Sequence, residues 1–305
     1  MKYLLWPVFY FLVLSCIATN RSTYIEPVET ELFTNLLQNL KGKSVLMIGD
    51  SLMRYHYLAM AYLLRHHHPV SKTLMPSIIQ QSTWPDFQDF LIGSKSLLFP
   101  YEQCDCFRNN PRDQLNITEN RYYNNPTHNI NISFLLYFGE YCHGQWWPGQ
   151  STLSTDLAIR TTDHYLPDRW KLTLEETISA FNNGREHATS ILILNVGFWH
   201  QEGKTGHLNQ KYRYYVNESI VEAATKNFKH VIWKTSNYIS GGFEFQPSCD
   251  PIDQFWCSRQ GVHCLNLSWT KDLNVDDYWD KVHFKANIYN RIISQLNELL
   301  QKIGV

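Results

Sequence analysis

The sequence predicts an α/β fold, a parallel sheet with helices on both of its faces. Three observations carry this. Short apolar runs at 44–48, 131–137, 191–195 and 230–235 have the length of buried strands. Stretches of helical pattern separate most of them. The C-terminal segment 286–303 keeps Ile288, Ile292, Ile293, Leu296, Leu299, Leu300 and Ile303 at helical spacing. With 305 residues, the chain is long enough to bury a large core without outside help.

The elements follow in order. A helix is expected over 29–40, then a strand over 44–48 that stops at Gly49-Asp50-Ser51. Residues 52–65 hold no Gly or Pro and read as a helix, giving strand, tight turn, helix. Residues 66–130 are rich in Pro, Asn and Cys and read as a long irregular insertion. A second strand is expected over 131–137 and a helix over 172–181, ended near Asn182-Asn183-Gly184. A third strand over 191–195 runs into Val196-Gly197-Phe198-Trp199-His200. A helix over 212–228 and a fourth strand over 230–235 follow. Residues 239–278 read as a loop region with three cysteines.

Composition narrows the function classes. Hydrophobic residues make up 44% and charged residues 18%, which excludes disorder for the bulk of the chain. The formal charge of −1, with no strongly basic stretch, argues against a dedicated nucleic-acid binder. The 10 Trp and 18 Tyr suit either sugar handling or ordinary packing.

The N-terminus reads as a secretory signal peptide. A positive start at Lys2 precedes an uncharged apolar run, and Cys16 and Ala18 are small where cleavage needs small residues. The alternative is an uncleaved anchor in the secretory pathway. Residues 19–305 then form one domain, secreted or in the secretory lumen. Removing 1–18 takes away Lys2 and Cys16, so the charge of −1 becomes −2 and seven cysteines become six. Cys104, Cys106, Cys142, Cys249, Cys257 and Cys264 are expected to form disulfides, with the pairing open. Cys104 and Cys106 are poor partners for each other, with one residue between them. A zinc site is the weaker rival, since no paired CxxC is present. N-x-S/T sequons at Asn20, Asn116, Asn131, Asn217 and Asn266 fit a secreted glycoprotein.

Two separated motifs could carry chemistry. Gly49-Asp50-Ser51-Leu52 leaves a buried-type strand and opens a helix. That puts the Ser51 hydroxyl at the carboxyl edge of the sheet, where such folds keep their sites. The Ser51 backbone N–H lies at a helix N-terminus, where an oxyanion can be held. The plainer alternative is a polar turn with Ser51 as the helix cap. Far away, Asp280-Lys281-Val282-His283 stands before the last helix. Spacing of three lets Asp280 reach Nδ1 of His283 and leaves Nε2 for Ser51.

Together these blocks resemble the GDSL/SGNH hydrolase superfamily, through Gly49-Asp50-Ser51-Leu52 and Asp280-Lys281-Val282-His283-Phe284. They are closer still to its PC-esterase or trichome-birefringence-like branch. Arg54 matches that branch's GDS-L-x-R, Asn195 to His200 its N-x-G-x-W segment, and Lys234-Thr235-Ser236 its basic-Thr-hydroxyl strand end. The resemblance implies a three-layer α/β/α sandwich with a parallel sheet and long loop insertions. It implies Ser51 as nucleophile, His283 as base and Asp280 as its orienter, with Asp50 a structural turn residue. The superfamily's G-x-N-D block is missing, because Phe198, Trp199 and His200 follow Gly197. The usual oxyanion Asn is therefore absent, and Arg54, Gly139 and Gly197 are its candidate replacements beside the Ser51 N–H. Trp199 and His200 are candidate substrate contacts, whereas Trp146 and Trp147 fit packing and His66-His67-His68 a solvated helix end.

The expected activity is removal or transfer of O-acyl groups, chiefly O-acetyl, on carbohydrate. No cofactor and no metal are expected, and the partner is an acylated carbohydrate or another ester. The alternative is a non-catalytic secreted binding module on the same fold. An α/β-hydrolase lipase, a zincin and a P-loop enzyme are disfavoured, since G-x-S-x-G, H-E-x-x-H and G-x-x-x-x-G-K-[ST] are all missing.

Overall fold

A computed structural model describes residues 29–70, 87–108, 117–136, 174–181, 190–195, 217–238, 240, 250–280 and 282–305. The signal-peptide expectation lies outside the described residues.

The element order is α1 (Glu29–Leu40), β1 (Ser44–Gly49), α2 (Ser51–His66), α3 (Phe87–Leu98), β2 (Glu102–Arg108), β3 (Ile117–Asn125) and β4 (Ile130–Leu136). It continues with α4 (Leu174–Phe181), β5 (Ser190–Leu194), α5 (Glu218–Asn227), β6 (His230–Lys234), α6 (Asp250–Cys257), β7 (Val262–Leu265) and α7 (Ala286–Lys302). Two short 3₁₀ turns, Ser268–Asp272 and Val275–Asp277, precede α7. The seven strands form one sheet in the order β2-β3-β4-β1-β5-β6-β7. β4, β1, β5, β6 and β7 run parallel, and β2 and β3 join antiparallel at one edge.

Strand alternation divides the core into two layers. Val45 and Met47 of β1, with Ile132, Phe134, Ile191, Ile193 and Ile232, pack against α1, α2, α3 and α7. Leu46 and Ile48, with Leu192, Leu194, Val231 and Trp233, pack against α4, α5 and α6. This is a three-layer α/β/α sandwich, and it explains why the central strands read as continuous apolar runs. The four expected strands are its centre.

Two expectations are corrected. The stretch 66–130, read as irregular, contains α3, β2 and β3. These strands escaped notice because their sequences, EQCDCFR and ITENRYYNN, are polar. Among their described buried side chains only Tyr123 is apolar, beside Glu102, Glu119, Asn120, Arg121 and Asn125. The loop region 239–278 likewise contains α6, the four-residue strand β7 and both 3₁₀ turns. A disulfide between Cys257 and Cys264 joins α6 to β7. Cys104 on β2 is also disulfide-bonded.

The winding positions the site. From β1 the chain crosses to β2 at one edge, folds back inward through β3 to β4 beside β1, then passes to β5 on the other side and continues outward to β6 and β7. The crevice at the carboxyl ends of β1 and β5 is thus a topological switch point, the usual ligand position in such sheets. Gly49 ends β1 there. A Cβ on it would lie 2.7 Å from the Met53 Cβ and 2.8 Å from the Asn195 carbonyl oxygen, so only glycine lets α2 and β5 approach this closely.

Candidate active site

Asp50, and not Ser51, caps α2. Its Oδ1 accepts a 2.9 Å hydrogen bond from the Leu52 N–H, and its backbone is extended, as a cap requires. Ser51 therefore takes the first helical position, at the positive end of the α2 dipole, with its hydroxyl released from capping. That hydroxyl lies 2.7 Å from His283 Nε2. Ser51 is 7% exposed, at the mouth of the crevice.

His283 comes from the turn that leads into α7. A bridge between Tyr278 and Phe284 closes this turn, with Trp279 N–H donating to the His283 carbonyl at 2.8 Å. Phe284 is buried and packs on Tyr278 and Tyr289, which pins the turn to the core. Asp280 Oδ2 lies 2.7 Å from His283 Nδ1, while Asp280 Oδ1 accepts from the Val282 and His283 N–H groups at 2.7 and 2.8 Å. Burial opposes the Asp280 charge, but the His283 hydrogen bond, its charge and the two backbone donors outweigh it and hold the carboxyl down to about 2. Ser51, His283 and Asp280 thus form one hydrogen-bonded chain across 232 residues of sequence. The D-x-x-H spacing does what elementary geometry allows: it closes a turn and orients a ring at once.

The imidazole also rests on an aromatic wall. The Tyr55 ring meets it in a T-shaped contact with centroids 5.1 Å apart. No sequence signal singles out Tyr55, one of many aromatic residues on the chain.

Arg54 belongs to a buried network of ion pairs. Its side chain is buried, its Nε lies 3.0 Å from Glu119 Oε2, and its guanidinium stands against the rings of Tyr55 and Phe90. Glu119 in turn takes Arg121 Nε at 2.9 Å, Arg121 reaches Glu102 at 3.2 Å and Ser94 Oγ at 2.9 Å, and the Tyr57 hydroxyl donates to Glu102 at 2.9 Å. Burial works against the Arg121 charge, but Glu102 and Glu119 outweigh it and push its pKa up. Burial pushes the Glu102 carboxyl up, with Arg121 opposing. Glu119 and Arg121, two apart on β3, share a face, and that pairing is the one sequence signal that could have revealed the network.

Near Asp50 lies a second polar group. Lys234 ends β6 fully buried, on the same sheet face as Ile232 and α2. Burial lowers its ammonium to about 8, the Asp50 carboxylate working in the other direction. His56 of α2, also fully buried, is held well below the ordinary histidine range by burial and then by the Lys234 charge. Asn195 donates to the Lys234 carbonyl at 2.6 Å and so ties β5 to β6 at the crevice floor.

Gly139, Gly197, Trp199 and His200 lie outside the described residues. Among the described residues no group of three His, Cys, Asp or Glu side chains could hold a metal ion. No helix among them is long and apolar enough to cross a membrane. In comparisons with known proteins, no protein-family model matches this chain and no curated protein matches it.

Proposed function

We propose that this protein is a serine-dependent ester hydrolase or O-acyltransferase acting on O-acyl groups, chiefly O-acetyl groups of carbohydrate, on the pattern of the GDSL/SGNH superfamily it resembles. The observation that carries the reading is the continuous contact from Ser51 Oγ to His283 Nε2 and from His283 Nδ1 to Asp280, each at 2.7 Å.

In this mechanism Ser51 Oγ attacks the ester carbonyl carbon as His283 Nε2 takes its proton. Negative charge gathers on the carbonyl oxygen, beside the Ser51 N–H at the start of α2. Collapse of the intermediate breaks the bond to the alcohol oxygen, which takes the proton back from His283 and leaves as the sugar hydroxyl. Water or a second sugar hydroxyl, deprotonated by His283, then attacks the acyl-enzyme and frees Ser51. Asp280 holds the imidazole in the required tautomer and stabilises its charged form. Gly139, Gly197 and Arg54 are the further oxyanion candidates, and Trp199 and His200 the substrate contacts. The Cys257–Cys264 disulfide supports a secretory-pathway location.

A fluorophosphonate probe tests the nucleophile: labelling that disappears in Ser51→Ala supports it, and an unlabelled wild-type chain points to a binding module. Acetate release from acetylated glycans, with and without acceptor sugars, separates esterase from transferase.

A further inference from the structure

We infer that the buried Glu119–Arg54 pair, acting through the ring of Tyr55, is a positioning device for His283, so that the antiparallel edge of the sheet sets the geometry of the base. The inference rests on the reading of Ser51 as nucleophile and His283 as its base.

Among the described residues, three contacts can fix the imidazole. Asp280 holds Nδ1, but its side chain is 57% exposed and sits on the turn itself. Ser51 is the group the base must serve. The third is Tyr55, 2% exposed and rooted in α2. A ring contact of this kind restricts the tilt of the imidazole, which the hydrogen bond to Asp280 alone leaves freer.

Tyr55 is itself held. The Arg54 guanidinium carbon lies 5.0 Å from its ring centroid, and Phe90 and Tyr289 lie 6.3 and 6.1 Å away, centroid to centroid. A buried guanidinium keeps such a place only if its charge is compensated, and Glu119 compensates it at 3.0 Å. Glu119 is fixed by Arg121, and β3 is zipped to β4 through Asn120 opposite Leu135 and Arg121 opposite Phe134. A continuous path thus runs from the sheet edge to the catalytic turn: Arg121, Glu119, Arg54, Tyr55, His283. Among the described residues the network contains two carboxylates and two guanidinium groups, so neutralising Glu119 removes a counter-charge that holds Arg54 beside the wall.

The test uses the full chain with Glu119→Gln, Tyr55→Leu and Tyr55→Phe. Two readouts are taken: the second-order rate of fluorophosphonate labelling of Ser51, corrected for the folded fraction, and the downfield proton resonance of the His283 Nδ1–H bonded to Asp280. Glu119→Gln and Tyr55→Leu are expected to slow labelling by about tenfold or more, since small misplacements of a catalytic group are costly. In both, the downfield resonance should broaden or vanish. Tyr55→Phe, which keeps the ring, should behave like wild type. Should Glu119→Gln fail to fold, Tyr55→Leu decides, and it leaves Arg54 and Glu119 in place. A merely structural network would lower the melting temperature but leave the folded fraction labelling at the wild-type rate with its resonance intact, and that result overturns the inference. Equal losses in Tyr55→Phe and Tyr55→Leu also overturn it. A wild-type chain that never labels sinks the nucleophile reading instead, and the resonance arm still decides the positioning.

Discussion

Ser51 can meet His283 because Asp50 takes the capping duty that a serine at this place would otherwise perform. Ser51→Ala or His283→Ala should lower ester turnover by several orders of magnitude with little change in melting temperature. The double variant should be no worse than either single, since the two act as one unit. Asp280 gives a stability signature. Its folded value of about 2 lies below the ordinary carboxylate range, so its contribution is present above about pH 4 and is lost as pH falls toward 2. The difference in melting temperature between wild type and Asp280→Asn should accordingly shrink as the pH is lowered through that window. Lys234 acts in the same sense at higher pH. Its folded value of about 8 is depressed by burial, so between pH 8 and the ordinary lysine value the unfolded chain binds more protons. Wild-type stability should rise across that range by roughly 3 kcal/mol from this group, and Lys234→Met should flatten the rise in denaturation profiles.

The element that most shapes the site is α2, fastened at three points. Gly49 lets it lie against the crevice, the Asp50 cap starts it, and the Arg54–Glu119 pair ties its first turn to β3. Gly49→Ala would press a methyl group into Met53 and the Asn195 carbonyl, and we expect it to cost about 1–3 kcal/mol. The ion pair should show the asymmetry of buried charges. Glu119→Met alone should cost about 3–5 kcal/mol, while Arg54→Met with Glu119→Met together should cost far less than the sum of the singles. Urea denaturation of the two singles and the double closes this cycle. A cycle that adds would mean the pair is not coupled.

For the whole molecule, the sheet edges are treated unequally. The parallel strands at the centre are covered by apolar side chains on both faces, whereas the antiparallel edge is held by Glu102, Glu119 and Arg121. At the other edge the Cys257–Cys264 disulfide closes a loop between α6 and β7. Opening a loop this short by reduction should cost about 2 kcal/mol. Alkylation of the unreduced protein, followed by mass mapping, should find Cys104, Cys257 and Cys264 protected. Free thiols there would refute both the pairing and the secretory assignment.

The sequence by itself determined the central sheet and the two ends of the hydrogen-bonded chain from Ser51 to Asp280. Strands buried on both faces must be continuously apolar, so 44–48, 131–137, 191–195 and 230–235 stood out, and GDS and D-x-x-H act through neighbours in sequence that fix local turns. It could not reveal β2 and β3, because a strand whose buried positions are mostly polar has the composition of a loop. It could not place Arg54 either. Helical spacing brings the residue near the serine, but where a long cation points is decided by the counter-charge it meets. Glu119, 65 positions further along, is brought beside it only by the antiparallel return of β3. Tyr55 and Lys234 likewise matter through what the fold packs against them, for burial and the distance between charges exist only once the chain is closed.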